Sequence, residues 1–337
     1  EQKEAERHIC NSSDRFIAVV GLAGTGKTYM LNHARELLEQ EGYMVKGMSL
    51  AGQAAHNLQE EAKIESKTIH SFLNQLEKEA GKFDPNQDLE NKDRWQVSGV
   101  SADNREVWII DEAGMVNNNL MNELLIAAEA RDAKVILVGD NKQLQAIGAG
   151  SSFDNLIRKN RISYVTMEDI QRQKNEKLKE AVNEVVKGDV SRSLKILSNK
   201  TIEIENREER LESIARDYTF QKSNDRRNSI ILTGSNYDRH ELNKLVRKNL
   251  QNHGELKKGK MFITQSQNGI TAEREFSEQD KIMFLKNDKT LGVKNGQVGY
   301  ITAIKGNTLW IETDKKILRL DTDQYNYIDH GYALTVH

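Results

Sequence analysis

The segment Phe16–Thr28, FIAVVGLAGTGKT, constrains this chain more than any other. An apolar run, Phe16-Ile17-Ala18-Val19-Val20, enters a turn rich in glycine, and a helical pattern follows with Leu31, Ala34, Leu37 and Leu38 on one face. That order predicts a buried strand, a phosphate loop and a helix. Gly21, Gly26, Lys27 and Thr28 fill every fixed position of G-x-x-x-x-G-K-[ST]. Glycines let the backbone close around an anion with its N–H groups inward, and the helix start adds a favourable dipole. Gly24, Thr25 and Gly26 would then line the phosphates. Lys27 would set a cation on the β- and γ-phosphates, and Thr28 would offer its hydroxyl to Mg²⁺. The chain is expected to bind a nucleoside triphosphate.

With 337 residues and 37% hydrophobic content, the chain has room for two domains and a small inserted third. Lys and Arg number 49 against 51 Asp and Glu, so a nucleic-acid partner would need a local basic track. A single cysteine, Cys10, excludes internal disulfides and suits a reducing cytoplasm. The start, EQKEAERHIC, is too charged for a signal peptide, and no apolar run approaches the ~18 residues of a membrane span. The eight histidines lack metal-ligand spacing.

The second strong signal is Val107–Met115, where apolar residues run straight into two carboxylates. At such a strand end in a P-loop enzyme, Asp111 can hold Mg²⁺ and Glu112 can orient and deprotonate the attacking water; the pair could also cap the next helix. Lys134–Asp140 reads as another buried strand, and Gln143 beyond it is placed to sense a γ-phosphate or to sit in a surface turn. Gly42–Leu50 reads as a strand ending in Ala51-Gly52-Gln53, followed by a helix over Ala54–Ala62. Ser66–Phe72, containing His70, leads into another helix. Strand ends of an open α/β sheet are where ligands bind, although a plain turn and a capping or buried histidine also fit these residues. Residues 77–105 read as a surface insertion. The domain boundary is expected near Ser163, giving residues 1–162 and 163–337. The second part begins with a strand (Ile162–Met167) and Glu168–Gln173, which includes Arg172; by itself that arginine reads as a solvated charge. An amphipathic helix then carries Leu178, Ala181, Val182, Val185 and Val186. A charged helical layer follows to Asn228, then a buried strand over Ser229–Thr233 and a helix over Asp238–Asn249. From about Gly259 the period changes to short strands, predicting a small β-barrel at about 280–325, and Tyr332–His337 reads as a strand returning to the α/β sheet.

Taken together, these motifs resemble superfamily 1 DNA helicases of the RecD-like group, and most of all the helicase part of the Ti-type conjugative relaxase-helicases (TraA). The resemblance rests on Gly21–Thr28, Ser49–Leu58, Ser66–Phe72, Trp108–Val116, Val135–Gly150, Glu168–Gln173, Leu242–Arg247, Leu291–Gly299 and His330–His337, in the family's order. It implies an α/β chain of two RecA-like domains with mostly parallel sheets, ATP between them, and an SH3-like insertion in the second. It further implies that Gln2 reads the adenine, that Gln143 contacts the γ-phosphate and that Arg172 is an arginine finger from the second domain. Single-stranded DNA would touch Ala51, Gly52, Gln53, His70, Thr335 and His337. The family continues past Thr-Val-His with a further arginine motif, so the second domain is expected to be incomplete and ATP turnover slow or absent. An aromatic-tipped strand-separating hairpin is not evident, and no relaxase nicking motif is present. The expected function is an ATP-dependent single-stranded DNA translocase or helicase, with single-stranded DNA and a fused relaxase and C-terminal regions as partners, in a cytoplasmic monomer. The alternative from the same residues is an ATP-gated DNA-binding module without unwinding. A P-loop kinase is disfavoured by the second α/β domain and by EDIQRQ.

Overall fold

The computed structural model describes residues 1–79, 105–143, 150–314 and 316–335. The chain divides into two compact units, Glu1–Thr201 and Ile202–His337.

The first unit is built on a six-stranded sheet. Its strands are β1 (Phe16–Gly21), β2 (Met44–Ser49), β3 (Ser66–Thr68), β4 (Glu106–Asp111), β5 (Lys134–Gly139) and β6 (Ser163–Met167), in the spatial order β3-β2-β4-β5-β1-β6. Each recorded pairing is parallel. Successive side chains of a strand face opposite ways, so both faces must be covered. On one face Ala18, Val20, Trp108, Ile110, Val135 and Leu137 form a core with helices α4 (Ile69–Glu79), α5 (Asn118–Ala130) and α6 (Ser152–Arg158). On the other, Ile17, Val19, Val107, Ile109, Ile136 and Val138 pack against α1 (Gln2–Asn11), α2 (Lys27–Gln40) and α3 (Gly52–Ala62). Leu31, Ala34 and Leu38 of α2 are buried as expected, but Leu37 is 45% exposed. The short strand β3, read from sequence only as a lead into α4, lies at the sheet edge.

The expected boundary near Ser163 is corrected. Strand β6 pairs with β1 along Ser163–Met167. This unit continues through α7 (Glu176–Val186) and α8 (Val190–Ile196) to Thr201. Nothing local to Ser163–Met167 shows that this strand fills the edge of β1, which is set by pairing with residues far back in the chain. The helix α7 buries Ala181 but leaves Leu178 and Val185 exposed. Most of the expected insertion at residues 77–105 lies outside the described residues.

The second unit holds α9 (Arg207–Thr219), α10 (Ser223–Arg227), α11 (Asn236–Asn252) and two short parallel strands, β7 (Ile231–Thr233) and, at its other end, β15 (Ala333–Thr335). The last strand therefore does return to pair with β7. Ile231 is buried against α9 and α11, but Leu232 is 64% exposed, so this strand is covered on one face only. Between them lies the β-rich segment. A hairpin of β8 (Lys260–Gln265) and β9 (Thr271–Phe276), missed from sequence, precedes a five-stranded antiparallel sheet. Its members are β10 (Lys281–Phe284), β11 (Val298–Lys305), β12 (Thr308–Glu312), β13 (Ile317–Asp321) and β14 (Ile328–His330), in the order β13-β12-β11-β10-β14. Phe276, Ile282, Phe284, Ile301, Ile311 and Leu320 make its core.

Candidate nucleotide site and family

Because the strands of the first sheet are parallel, the loops at their C-terminal ends all leave one edge. From β1 comes the phosphate loop. Gly24 and Gly26 adopt φ of +82° and +86°, a region open to glycine at little cost. Thr25 is buried, and its hydroxyl donates to the Leu22 carbonyl at 2.9 Å. Lys27 Nζ donates to the carbonyls of Gly21 (2.7 Å) and Leu22 (3.2 Å), so the cation lies along the loop it serves. Thr28 follows in the first turn of α2.

From β4 come Asp111 and Glu112. Burial, and next the neighbouring Glu112 charge, push the Asp111 carboxyl up to about 6; Lys27 acts in the opposite sense. Glu112 stands at φ +54°, an unfavourable conformation for a side chain with a Cβ, and it caps a single 3-10 turn, Ala113–Met115. Such strain is common at functional sites.

Sequence reading missed the residue after β5. Asp140 is 6% exposed, and its Oδ2 accepts the Ala23 amide of the phosphate loop at 2.8 Å. Its Oδ1 accepts the Lys142 amide at 2.9 Å, shaping the turn that carries the exposed Gln143. The available signal was an acid directly after a buried strand, the same pattern that singled out Asp111.

From β6 comes Glu168–Gln173. Its backbone crosses the phosphate loop, with the Gln171 and Arg172 amides both donating to the Gly24 carbonyl (2.8 and 3.1 Å). Arg172 therefore belongs to the same unit as Lys27, which corrects its expected origin in a second domain: the pairing of β6 with β1 carries it there. Its side chain is exposed. Gln2, at the start of α1, donates from Nε2 to the Thr25 carbonyl at 3.0 Å. Glu1 Oε2 accepts the Glu168 and Asp169 amides, both at 2.9 Å. Glu1, Gln2, Lys3, Thr25, Asp169 and Gln171 line an open cavity of about 680 Å³.

A triphosphate with Mg²⁺ suits these residues. The loop backbone is glycine-shaped, and a Cβ on Gly26 would fall 2.2 Å from Gln2 Nε2. Lys27 supplies the cation and Asp111 the oxygen donor that a hard metal requires. The structure thus gathers Gln2, Gly24, Thr25, Gly26, Lys27, Thr28, Asp111, Glu112, Gln143 and Arg172 at the β4-β5-β1-β6 side of the edge. Ala51, Gly52, Gln53 and His70 are exposed on the same edge at its β2-β3 side. Thr335 ends β15 in the second unit, and His337 lies outside the described residues. Among the described residues no cluster of three or more His, Cys, Asp or Glu suits a metal, and no helix is long and apolar enough to cross a membrane.

This phosphate loop, with acids at the next two strand ends of a parallel sheet, defines a P-loop nucleotide-binding unit. The chain belongs to the AAA domain family (AAA_30), whose model matches residues 1–206. It is 34% identical over its full length to the conjugal transfer protein TraA of Rhizobium radiobacter, of which it spans 29%. It is 26% identical to the multifunctional conjugation protein TraI of Escherichia coli K12, over 78% of this chain and 16% of that one. In fold it resembles the Pif1 helicase of Bacteroides solved with ADP-AlF3 and single-stranded DNA, at a TM-score of 0.58, 18% identity, 99% of this chain and 82% of that chain. The Candida albicans Pif1 helicase gives 0.57 and 16%, over 100% of this chain and 85% of that one.

Proposed function

We propose that this chain is the ATP-hydrolysing, single-stranded-DNA-translocating region of a conjugative DNA-transfer protein. The observation that carries the reading is the convergence of Lys27, Asp111, Glu112 and Gln143 on one sheet edge, in a chain 34% identical to TraA. In this reading the unit with β7 and β15 is a second RecA-like domain, and the five-stranded sheet is its SH3-like insertion.

Lys27 binds the β- and γ-phosphates of the substrate ATP, and the Gly24–Gly26 amides hold the phosphate oxygens. Thr28 and Asp111 hold Mg²⁺, which supplies charge neutralisation on the phosphates when bound. Glu112 orients the attacking water and accepts its proton. Gln143 faces the γ-phosphate, Arg172 adds positive charge from beside the loop, and Gln2 reads the base. Ala51, Gly52, Gln53, His70 and Thr335 contact the DNA, mainly at its backbone, which makes the grip sensitive to salt.

The test is ATP turnover with and without single-stranded DNA, at two salt concentrations. Turnover stimulated several-fold by DNA, with the stimulation fading at high salt, is expected. Turnover indifferent to DNA would remove the motor and leave a nucleotide-binding unit.

A further inference from the structure

Two loops meet at one buried carboxylate, and a third packs against the backbone beside it. Strand β5 lies between β4 and β1, so Asp140, the residue that follows it, is flanked by the phosphate loop on one side and by the Asp111–Met115 turn on the other. The approach of that turn is close: a Cβ on Gly139 would stand 3.1 Å from the Gly114 amide nitrogen, and a Cβ on Gly114 would stand 3.3 Å from the Asp140 carbonyl oxygen. The Asp140 side chain then joins two otherwise separate loops, accepting Ala23 N–H with one oxygen and Lys142 N–H with the other. Ala23 sits one residue before Gly24, and Lys142 one residue before Gln143.

We infer that Asp140 is a positioning residue that couples the Gln143 turn to the phosphate loop, so that the two respond to the terminal phosphate as one element. A carboxylate is the only side chain of this length with acceptors on both oxygens. An amide in its place has one acceptor and one donor, and the donor would face an N–H. Asp140→Asn therefore releases one of the two loops while keeping volume and most of the packing. Gln143 can then meet the γ-phosphate without registering the change at Ala23, or the reverse. The consequence is specific. A diphosphate engages the phosphate loop alone, whereas a triphosphate engages both loops, and only the second should depend on the link.

The inference rests on the nucleotide reading of the site and not on DNA translocation. Its test is equilibrium binding of ADP and of a non-hydrolysable ATP analogue, each with Mg²⁺, to the full chain and to Asp140→Asn, Gln143→Ala and the double variant. The expected result is that Asp140→Asn weakens the analogue ten-fold or more and ADP less than three-fold. The double variant should then be no worse than the poorer single variant, because each change breaks the same link. Equal loss of ADP and analogue, or strictly multiplicative losses in the double variant, would overturn the coupling and leave Asp140 a plain structural support. Failure of the unsubstituted chain to bind either nucleotide would instead overturn the nucleotide reading.

Discussion

The Arg172 amide donates to the carbonyl of Gly24, and a Cβ placed on Gly24 would lie 2.7 Å from the Arg172 Cβ. The phosphate loop is thus clamped between its own helix and the segment that follows β6. Gly24 also stands at φ +82°. Gly24→Ala therefore meets two obstacles at once, a strained backbone costing on the order of 1–2 kcal/mol and a collision with Arg172. The fold should survive with a lowered melting temperature, while nucleotide affinity falls at least ten-fold. Calorimetric titration with ADP, beside a thermal melt, separates the two effects.

The roles proposed for Lys27 and Glu112 differ in kind. Lys27→Ala removes the phosphate cation and should weaken nucleotide binding by ten-fold or more. Glu112→Gln keeps the shape and should leave binding within about three-fold, while turnover falls by roughly 10²-fold or more, as for loss of a general base. Single-turnover hydrolysis paired with binding of a fluorescent nucleotide distinguishes them. Normal turnover by Glu112→Gln would remove it as the base.

Asp111 sets a pH dependence. Its folded-state value of about 6 lies above the ordinary aspartate value of 3.8, with burial as the first cause. The folded state therefore holds the proton more tightly than the unfolded one, and stability contributed by this group is lost as pH rises from about 4 through about 6. Ionised at neutral pH, it costs the metal-free fold on the order of 3 kcal/mol. Asp111→Asn should thus raise the denaturation midpoint at pH 7 in the absence of Mg²⁺ and leave it little changed near pH 4. In the unsubstituted chain, Mg²⁺ must displace the proton, so Mg²⁺-dependent nucleotide binding should weaken as pH falls below about 6. Mg²⁺ titrations at pH 5.5 and 7.5 check this.

In the second unit, Arg247 is nearly buried and joins α11 to the β-rich segment. Its Nε donates to both oxygens of the fully buried Asp280 (3.1 and 3.0 Å), and its Nη1 lies 3.2 Å from Glu275. Asp280 also accepts from the Tyr332 hydroxyl at 2.7 Å and from the Ser277 amide at 2.6 Å. Arg247→Ala leaves that carboxylate without its cation and should destabilise by about 3–5 kcal/mol. Pairing it with Asp280→Asn should recover part of the loss. Urea denaturation of the four chains of this double-mutant cycle measures it.

The first unit was legible because its chemistry is local in sequence. Gly21–Thr28 and Trp108–Glu112 each hold strand, turn and reactive side chains within a few residues, and a buried parallel strand is an unmistakable apolar run. What escaped was set by distance along the chain. Nothing near Ser163 says that its strand will fill the open edge of β1, so Arg172 was assigned to the wrong unit. Asp140 reads only as a strand terminus, because its partner amide at Ala23 lies 117 residues away. The hairpin of β8 and β9 was hidden for another reason: its outward residues Met261, Ile263 and Ile270 are apolar yet exposed, which blurs the alternation that marks a strand. Leu37 and Leu178 misled in the same way, since an apolar residue on a helical stripe need not be covered.

The direction of α1 has a practical use. Its first residue, Gln2, touches the phosphate loop, whereas its far end is held by Lys134, the first residue of β5, through the carbonyls of Ile9 and Ser12. The helix spans the sheet against the strands, and Cys10 lies roughly 12 Å along its axis from Gln2. Because Cys10 is the sole thiol in the sequence, a dye or spin label placed there would report on the molecule from the rim opposite its nucleotide loops, with no engineered cysteine needed. Burial raises the thiol's pKa, so labelling calls for mildly alkaline buffer.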